Sequence, residues 1–360
     1  MDDHRFDRFT RSLSGLTRRD AIRGGAAAAV LLSGVRGIGS VEEAEAAACY
    51  PCKGQCVPLC GANCPTFPSS CRMFPADHIW NVRVDNLPVH PRSSQYIDTI
   101  GRSNPLHPDF GSGMWDNKPM GIPMTVKSGA LARTRVKFNE YGDESDPGPY
   151  YIPSGALVEG GNCARGDRHV LVVDTERCRL YELYHAKLGR RGQWTAGSGA
   201  IWDLNGYQQR PEGWTSADAS GMALLPGLVR YEEAISGRIS HALRFTVEDA
   251  AGHVWPAVHM EENDETTAIP AMGHRFRLKA SVNISRFSPE VRVILTALKE
   301  YGMMIADIGS PWFLSGVPDE RWNQDNLTAL QQAGGITGND FECVDQSGLM
   351  ISHDSARARV

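Results

Sequence analysis

Residues 168–184 read RHVLVVDTERCRLYELY, two runs rich in β-branched and aromatic residues with only Thr175-Glu176-Arg177 between them. That spacing predicts a β-hairpin. The rest of the chain points the same way. Its 37 glycines and 21 prolines favour frequent turns and short strands over a helical bundle. Further short strands are predicted over Ile122–Val126 and Thr134–Phe138, and in AGSGAIWDL, HALRFTV, HVWPAVH and MMIAD. HRFRLKAS alternates strictly, with Arg275, Arg277 and Lys279 on one face and Phe276, Leu278 and Ala280 on the other.

One helix is well marked. Ser288 is placed to cap it, Pro289 suits its first position, and Glu290 complements its positive end. Val291, Ile294, Leu295, Leu298 and Tyr301 form an apolar stripe, and Gly302 is placed to end it. Asp325 marks the start of a second, short helix. No repeat is present, and the regular strand–helix alternation of a doubly wound fold is absent. The expected fold is mainly β: a two-sheet β-sandwich or jelly-roll-like domain with one packed amphipathic helix.

The chain divides into residues 1–48, an export signal; 49–72, a Cys-rich segment; 73–346, a single β-rich domain; and 347–360, a tail expected to be disordered. The signal has the Arg18-Arg19 pair, then a short apolar run, then the small residues of AEAAAC, with cleavage expected after Ala46 or Ala48. The pair resembles a twin-arginine signal, which implies export in the folded state through bacterial export machinery. The apolar run is far short of the roughly 20 residues that span a bilayer. No later segment is apolar enough to be a transmembrane helix. The expected location is therefore extracellular, periplasmic or at the cell surface. Cys49 offers a further reading as the lipidated first residue of a lipoprotein. Ala46 stands where such signals carry Leu.

Cysteine usage fits an oxidising compartment. Of nine cysteines, Cys49, Cys52, Cys56, Cys60, Cys64 and Cys71 crowd into one short segment. Such density is expected to mean disulfides, with 15 pairings open. A thiolate metal cluster is the rival reading. Cys163 and Cys178 lie close in sequence and form a candidate pair, which leaves Cys343 over. The net charge of −5 gives no basic footprint for nucleic acid and no polybasic membrane anchor.

The segments HPDFG, YGDESDPGPY, RPEGWTSADASG, LPGLVRYEE, HALRFTV, MGHRFRLKAS and ALKEYGMMIAD resemble a family of exported bacterial proteins of unassigned function. The similarity covers roughly Phe74 to Asp345. It implies a secreted single domain and supplies no reaction.

The sequence has no Gly-x-Ser-x-Gly elbow, no His-Glu-x-x-His zinc helix, no phosphate-binding Gly-x4-Gly-Lys loop and no complete EF-hand loop. What remains is carboxylates, histidines and tryptophans. Asp203 and Asp218 flank a polar loop beside Trp202 and Trp214, and Asp307 ends the apolar MMIAD run. Paired carboxyls of this kind serve glycoside hydrolysis, which needs one protonated and one ionised. His241, His259 and His169 lie at strand ends, with His241 and His259 the candidates for proton transfer. Arg275 and Arg277 are candidate contacts for a uronate carboxyl, as a polysaccharide lyase requires.

The expected function is a secreted carbohydrate-active enzyme acting on a polysaccharide or other extracellular glycan, hydrolase ahead of lyase. The alternatives are a non-catalytic glycan-binding or cell-surface protein, with tryptophans as stacking platforms, and a metal-dependent extracellular enzyme. No cofactor is required. Calcium at Asp143, Glu144 and Asp146, or a His-bound transition metal, are the metal readings.

Overall fold

A computed structural model describes residues 71–360 apart from 116–117, 162–163, 191 and 261–266. The export signal, Cys49, Cys52, Cys56, Cys60, Cys64 and Cys163 lie outside the described residues. The first strands are β1 (His107–Asp109), β2 (Met114–Trp115), β3 (Lys118–Pro119), β4 (Met124–Lys127) and β5 (Val136–Phe138). They are followed by β6 (Val170–Asp174), β7 (Arg179–Tyr184), β8 (Lys187–Leu188), β9 (Trp194–Ala196) and β10 (Ser198–Asp203). The last are β11 (Leu243–Val247), β12 (Arg275–Leu278), β13 (Met303–Ile308), β14 (Phe313–Ser315) and β15 (Phe341–Val344). The helices are α1 (Ser93–Ile100), α2 (Tyr231–Ser236), α3 (Pro289–Glu300) and α4 (Gln324–Thr328).

The protein is mainly β and built from several sheets, as expected. A six-stranded sheet runs β1-β14-β11-β13-β12-β15, and a four-stranded sheet runs β10-β7-β6-β4. Two smaller sheets, β5-β9-β8 and β2-β3, flank them. Both large sheets are mixed: β11 and β13 run parallel, as do β4 and β6. The predicted hairpin is β6–β7, paired from Val170↔Leu183 to Asp174↔Arg179. Every residue of β6 is buried, which explains why that run is continuously apolar rather than alternating.

Helix α3 packs on β12 through Val291, Ile294, Leu295 and Leu298. It ends at Gly302, whose φ of 67° is left-handed and whose Cβ would meet Phe276 O at 2.4 Å. At the heart of the six-stranded sheet Trp312 stacks between Phe245 and Phe341, with ring centroids 5.5 and 5.1 Å away.

Four expectations are corrected. HVWPAVH forms turns, not a strand, because Pro256 cannot donate to a ladder. The short helix is capped by Asn323, whose side chain accepts from Asp325 N and Asn326 N. The tail is ordered. Ala356 and Ala358 are buried, and Arg357 pairs with Asp77 at 2.8 Å and lies over the Tyr207 ring.

The fourth concerns the cysteines. Cys178 bonds Cys71, not Cys163. The sheet brings the turn after β6 beside the start of the domain, a proximity that sequence spacing does not encode. The bridge spans a sequence separation of 107, and constraining so long a loop stabilises by about 2–4 kcal/mol. Cys178→Ser is expected to lower the thermal midpoint without a change in secondary structure, read by circular dichroism. An unchanged midpoint would show that packing alone holds Cys71 there. Cys343 is a buried free thiol.

Candidate functional site

Arg244, in β11, is a buried cation in a strand whose other residues are apolar except Thr246. Such a group is tolerated only when paired. Asp218 takes its Nε and Nη2 in a two-point bond, each at 2.7 Å. Nη2 also donates to Asp307 Oδ2 at 2.8 Å, and Nη1 to Ser315 Oγ at 2.7 Å. Asp307 comes from β13 and Ser315 from β14, the two neighbours of β11, so one sheet presents three of the four groups. Its register shifts between Phe245 and Thr246. This irregularity frees Ala306 O to accept from Ser220 N at 3.0 Å.

Asp218 arrives on the loop Trp214–Met222. The loop is tied internally: Ser216 Oγ donates to Met222 O at 2.6 Å and accepts from Asp218 N at 2.9 Å. Gly221 turns the chain with φ of 74°, and a Cβ there would lie 2.6 Å from Trp214 O. Histidines hold the carbonyls on either side of Asp218. His169 donates from Nε2 to Ala217 O at 3.0 Å, and His259 from Nδ1 to Ala219 O at 2.6 Å. Behind His169 stands Glu159, 2.7 Å from Nδ1. Glu144 lies 3.9 Å from His259 Nε2 and accepts from Thr215 N at 2.8 Å.

Around this centre the charges crowd. Asp167 is exposed as a residue, and the charges of His169, Glu159 and Arg244 act on its carboxyl. No hydrogen bond or ion pair to that carboxyl is found among the described residues. Burial pushes it upward against the pull of His169. The Asp307 side chain is 19% exposed. Burial, with help from Asp218 and Asp167, pushes it up to about 7 despite Arg244. For His169 burial opposes the charge, yet the Glu159 carboxylate lifts the ring to about 9. Tyr184, at the end of β7, lies in the field of Asp167, Glu140 and Asp307 and is pushed up, by burial first.

The structure therefore brings together Asp218, Asp307 and His259 of the expected set, and leaves the others elsewhere. Asp203 ends β10 and pairs with Arg179 at 3.1 Å. Ser198, at the other end of β10, reaches the loop through Ser216 O. Four residues of strand lie between the two, a rise of roughly 16 Å, so Asp203 is a strand-end residue outside the site. His241 sits with Arg230 and Glu233, its Nε2 3.2 Å from the Glu233 carboxylate, and anchors α2. Trp202 is buried, its indole donating to the buried Glu182 at 2.8 Å. Trp214 is partly exposed at the start of the loop, under the Arg210 guanidinium at 5.3 Å.

Arg275 and Arg277 do not face a substrate. Arg275 is fully buried and donates to Tyr301 O, Ile79 O and Val82 O. Arg277 donates to Glu342 and to the carbonyls of Val84, Asp85 and Leu87. Together they clamp the 79–87 segment onto β12. Two of the three acids proposed for calcium are likewise engaged, while Asp143 is exposed. Asp146 pairs with Arg210 at 2.6 Å and accepts from Ile201 N, while Glu144 holds the Trp214–Met222 loop. Among the described residues no three His, Cys, Asp or Glu side chains are grouped to hold a metal ion.

Comparison with protein-family models, curated proteins and solved structures gives no match. The site is read from its own geometry. Arg244, Glu159 and Asp167 were not among the expected site residues. Arg244 had a sequence signal, a cation in the middle of the apolar run HALRFTV. Glu159 and Asp167 had none, since both lie in ordinary polar loop sequence.

Proposed function

We propose that the chain is an exported enzyme that cleaves a polysaccharide by acid–base chemistry, with Asp167 as the acid and Asp307 as the ionised partner. The observation that carries this reading is the unequal setting of the two carboxyls. Both Asp307 oxygens face donors, Arg244 Nη2 and Ile308 N at 2.8 Å each, the environment of a carboxylate. Among the described residues Asp167 has no such donors, and it is held upward. Burial raises both carboxyls, but only Asp307 has an arginine donor to hold its ionised form. Two carboxyls whose surroundings separate their roles are what glycoside hydrolysis requires.

Two further features support the reading. The Cys71–Cys178 disulfide fits an oxidising compartment, and no helix among the described residues is long and apolar enough to cross a membrane. Of the tryptophans that could form a platform for passive glycan binding, Trp194, Trp202, Trp312 and Trp322 are buried, which leaves Trp115, Trp214 and Trp255 with exposed surface. The test is a panel of neutral, amino and uronic polysaccharides incubated with purified protein, with new reducing ends measured against pH. Cleavage of at least one polymer is expected, with one limb of the pH profile near neutrality. Intact polymers across the panel would refute the proposal.

A further inference from the structure

We propose that Glu159 and His169 form a positioning pair: an imidazole doubly protonated at neutral pH that grips Ala217 O and so holds Asp218, and through it Arg244, against Asp307. The role assigned to Asp307 rests on the acid–base reading above; the state of the ring does not. His169 Nδ1 meets Glu159 Oε2 at 2.7 Å and Nε2 meets Ala217 O at 3.0 Å. A carboxylate and a backbone carbonyl both only accept. A neutral imidazole has one donor and one acceptor nitrogen, so only the imidazolium satisfies both contacts. Two backbone bonds hold Glu159 in place against the ring. Glu159 N donates to His169 O at 2.9 Å, and His169 N donates to Glu159 Oε2 at 3.2 Å.

The chain of contacts from this ring to Asp307 is continuous. Ala217 O is one residue from Asp218, whose carboxylate bonds Arg244 twice, and the same Nη2 bonds Asp307. The groups facing His169 are Glu159, Asp167, Arg244, Asp307 and the Tyr184 ring, whose centroid is 5.9 Å away. His259 repeats the grip on Ala219 O. The Asp218 peptide is thus pinned on both sides, by side chains from two different parts of the chain.

The test follows protonation in the full chain and needs no substrate. Imidazole nitrogen NMR of 15N-histidine-labelled protein is expected to show His169 with both nitrogens protonated at pH 7.5, losing one proton near pH 9. Glu159→Gln keeps an accepting oxygen but removes the charge. It is expected to bring that titration down below neutrality and to move the Asp307 carboxyl titration, read by 13C, upward. Glu159→Asp is expected to restore both toward wild type. A merely structural contact predicts no movement of either titration in Glu159→Gln.

A bare ring nitrogen in the wild type at pH 7.5 would overturn the proposal, and that measurement stands even if the glutamine variant does not fold. A His169 shift without any Asp307 shift would overturn the link to Asp307. Failure of the polysaccharide panel with these NMR results intact would sink the acid–base reading alone.

Discussion

Asp307→Asn is expected to cut polysaccharide turnover by at least about a hundredfold, the usual contribution of one general acid or base. The protein should stay folded. Asparagine fits the same space, and Arg244 keeps its two-point bond to Asp218. Stability should respond to pH in a way that identifies the carboxyl. The folded-state pKa of Asp307 is raised, from 3.8 to about 7. Its contribution to stability is therefore full below pH 3.8 and is lost as pH rises through 7. Thermal midpoints measured from pH 4 to pH 8 should show that loss in wild type and a flatter profile in Asp307→Asn. Full turnover in the variant would remove Asp307 from the chemistry.

The second large effect concerns Asp218, which sits in the same cluster and serves the fold. Its side chain is completely buried and spends both oxygens on Arg244. Asp218→Ala leaves a buried guanidinium with only Asp307 and Ser315, and breaking a buried pair from one side costs roughly 3–5 kcal/mol. Urea unfolding should show the unfolding free energy falling by that amount. Replacing both partners, as in Asp218→Leu with Arg244→Met, should recover much of it, because no uncompensated charge remains. A single variant as stable as wild type would mean that Arg244 finds water or another acceptor. The two aspartates thus separate by assay: one variant loses turnover and keeps its fold, the other loses the fold.

The parts of this protein legible in its sequence are those governed by local periodicity. The β6–β7 hairpin, helix α3 with its glycine stop and the apolar β13 all follow from spacing of apolar residues and a few turn residues. Asp307 was visible because an acid closing an apolar strand is a marked position, and Asp218 because it flanks a polar loop beside tryptophans. Sequence distance hid the rest. The Cys71–Cys178 bridge joins residues far apart, and the nearer Cys163 looked the better partner.

Alternation misled at Arg275 and Arg277. A strand with basic residues on one face reads as half-solvated, yet that face is covered by the 79–87 segment, whose carbonyls need donors. A run of small and charged residues led to the expectation of a loose tail. Burial of Ala356 and Ala358, the Arg357–Asp77 ion pair and backbone bonds to Asp77, Ile79 and Tyr207 order it. His169 was noticed only as a strand-end histidine, since its partners Glu159 and Ala217 are set by the fold.

That ordered tail bears on how the domain is made. Ile79 N bonds Ala356 O, Ala358 N bonds Asp77 O, and Arg357 pairs with Asp77 across a sequence separation of 280. A ribosome adding about 5–20 residues per second presents the first half of this seam roughly 15–60 seconds before the second. Throughout that interval the backbone around residues 77–79 lacks those partners. A nascent chain halted before residue 356 should therefore be captured by holdase chaperones and cut readily by protease, and a chain in which residues 356–358 are free to pair should escape both.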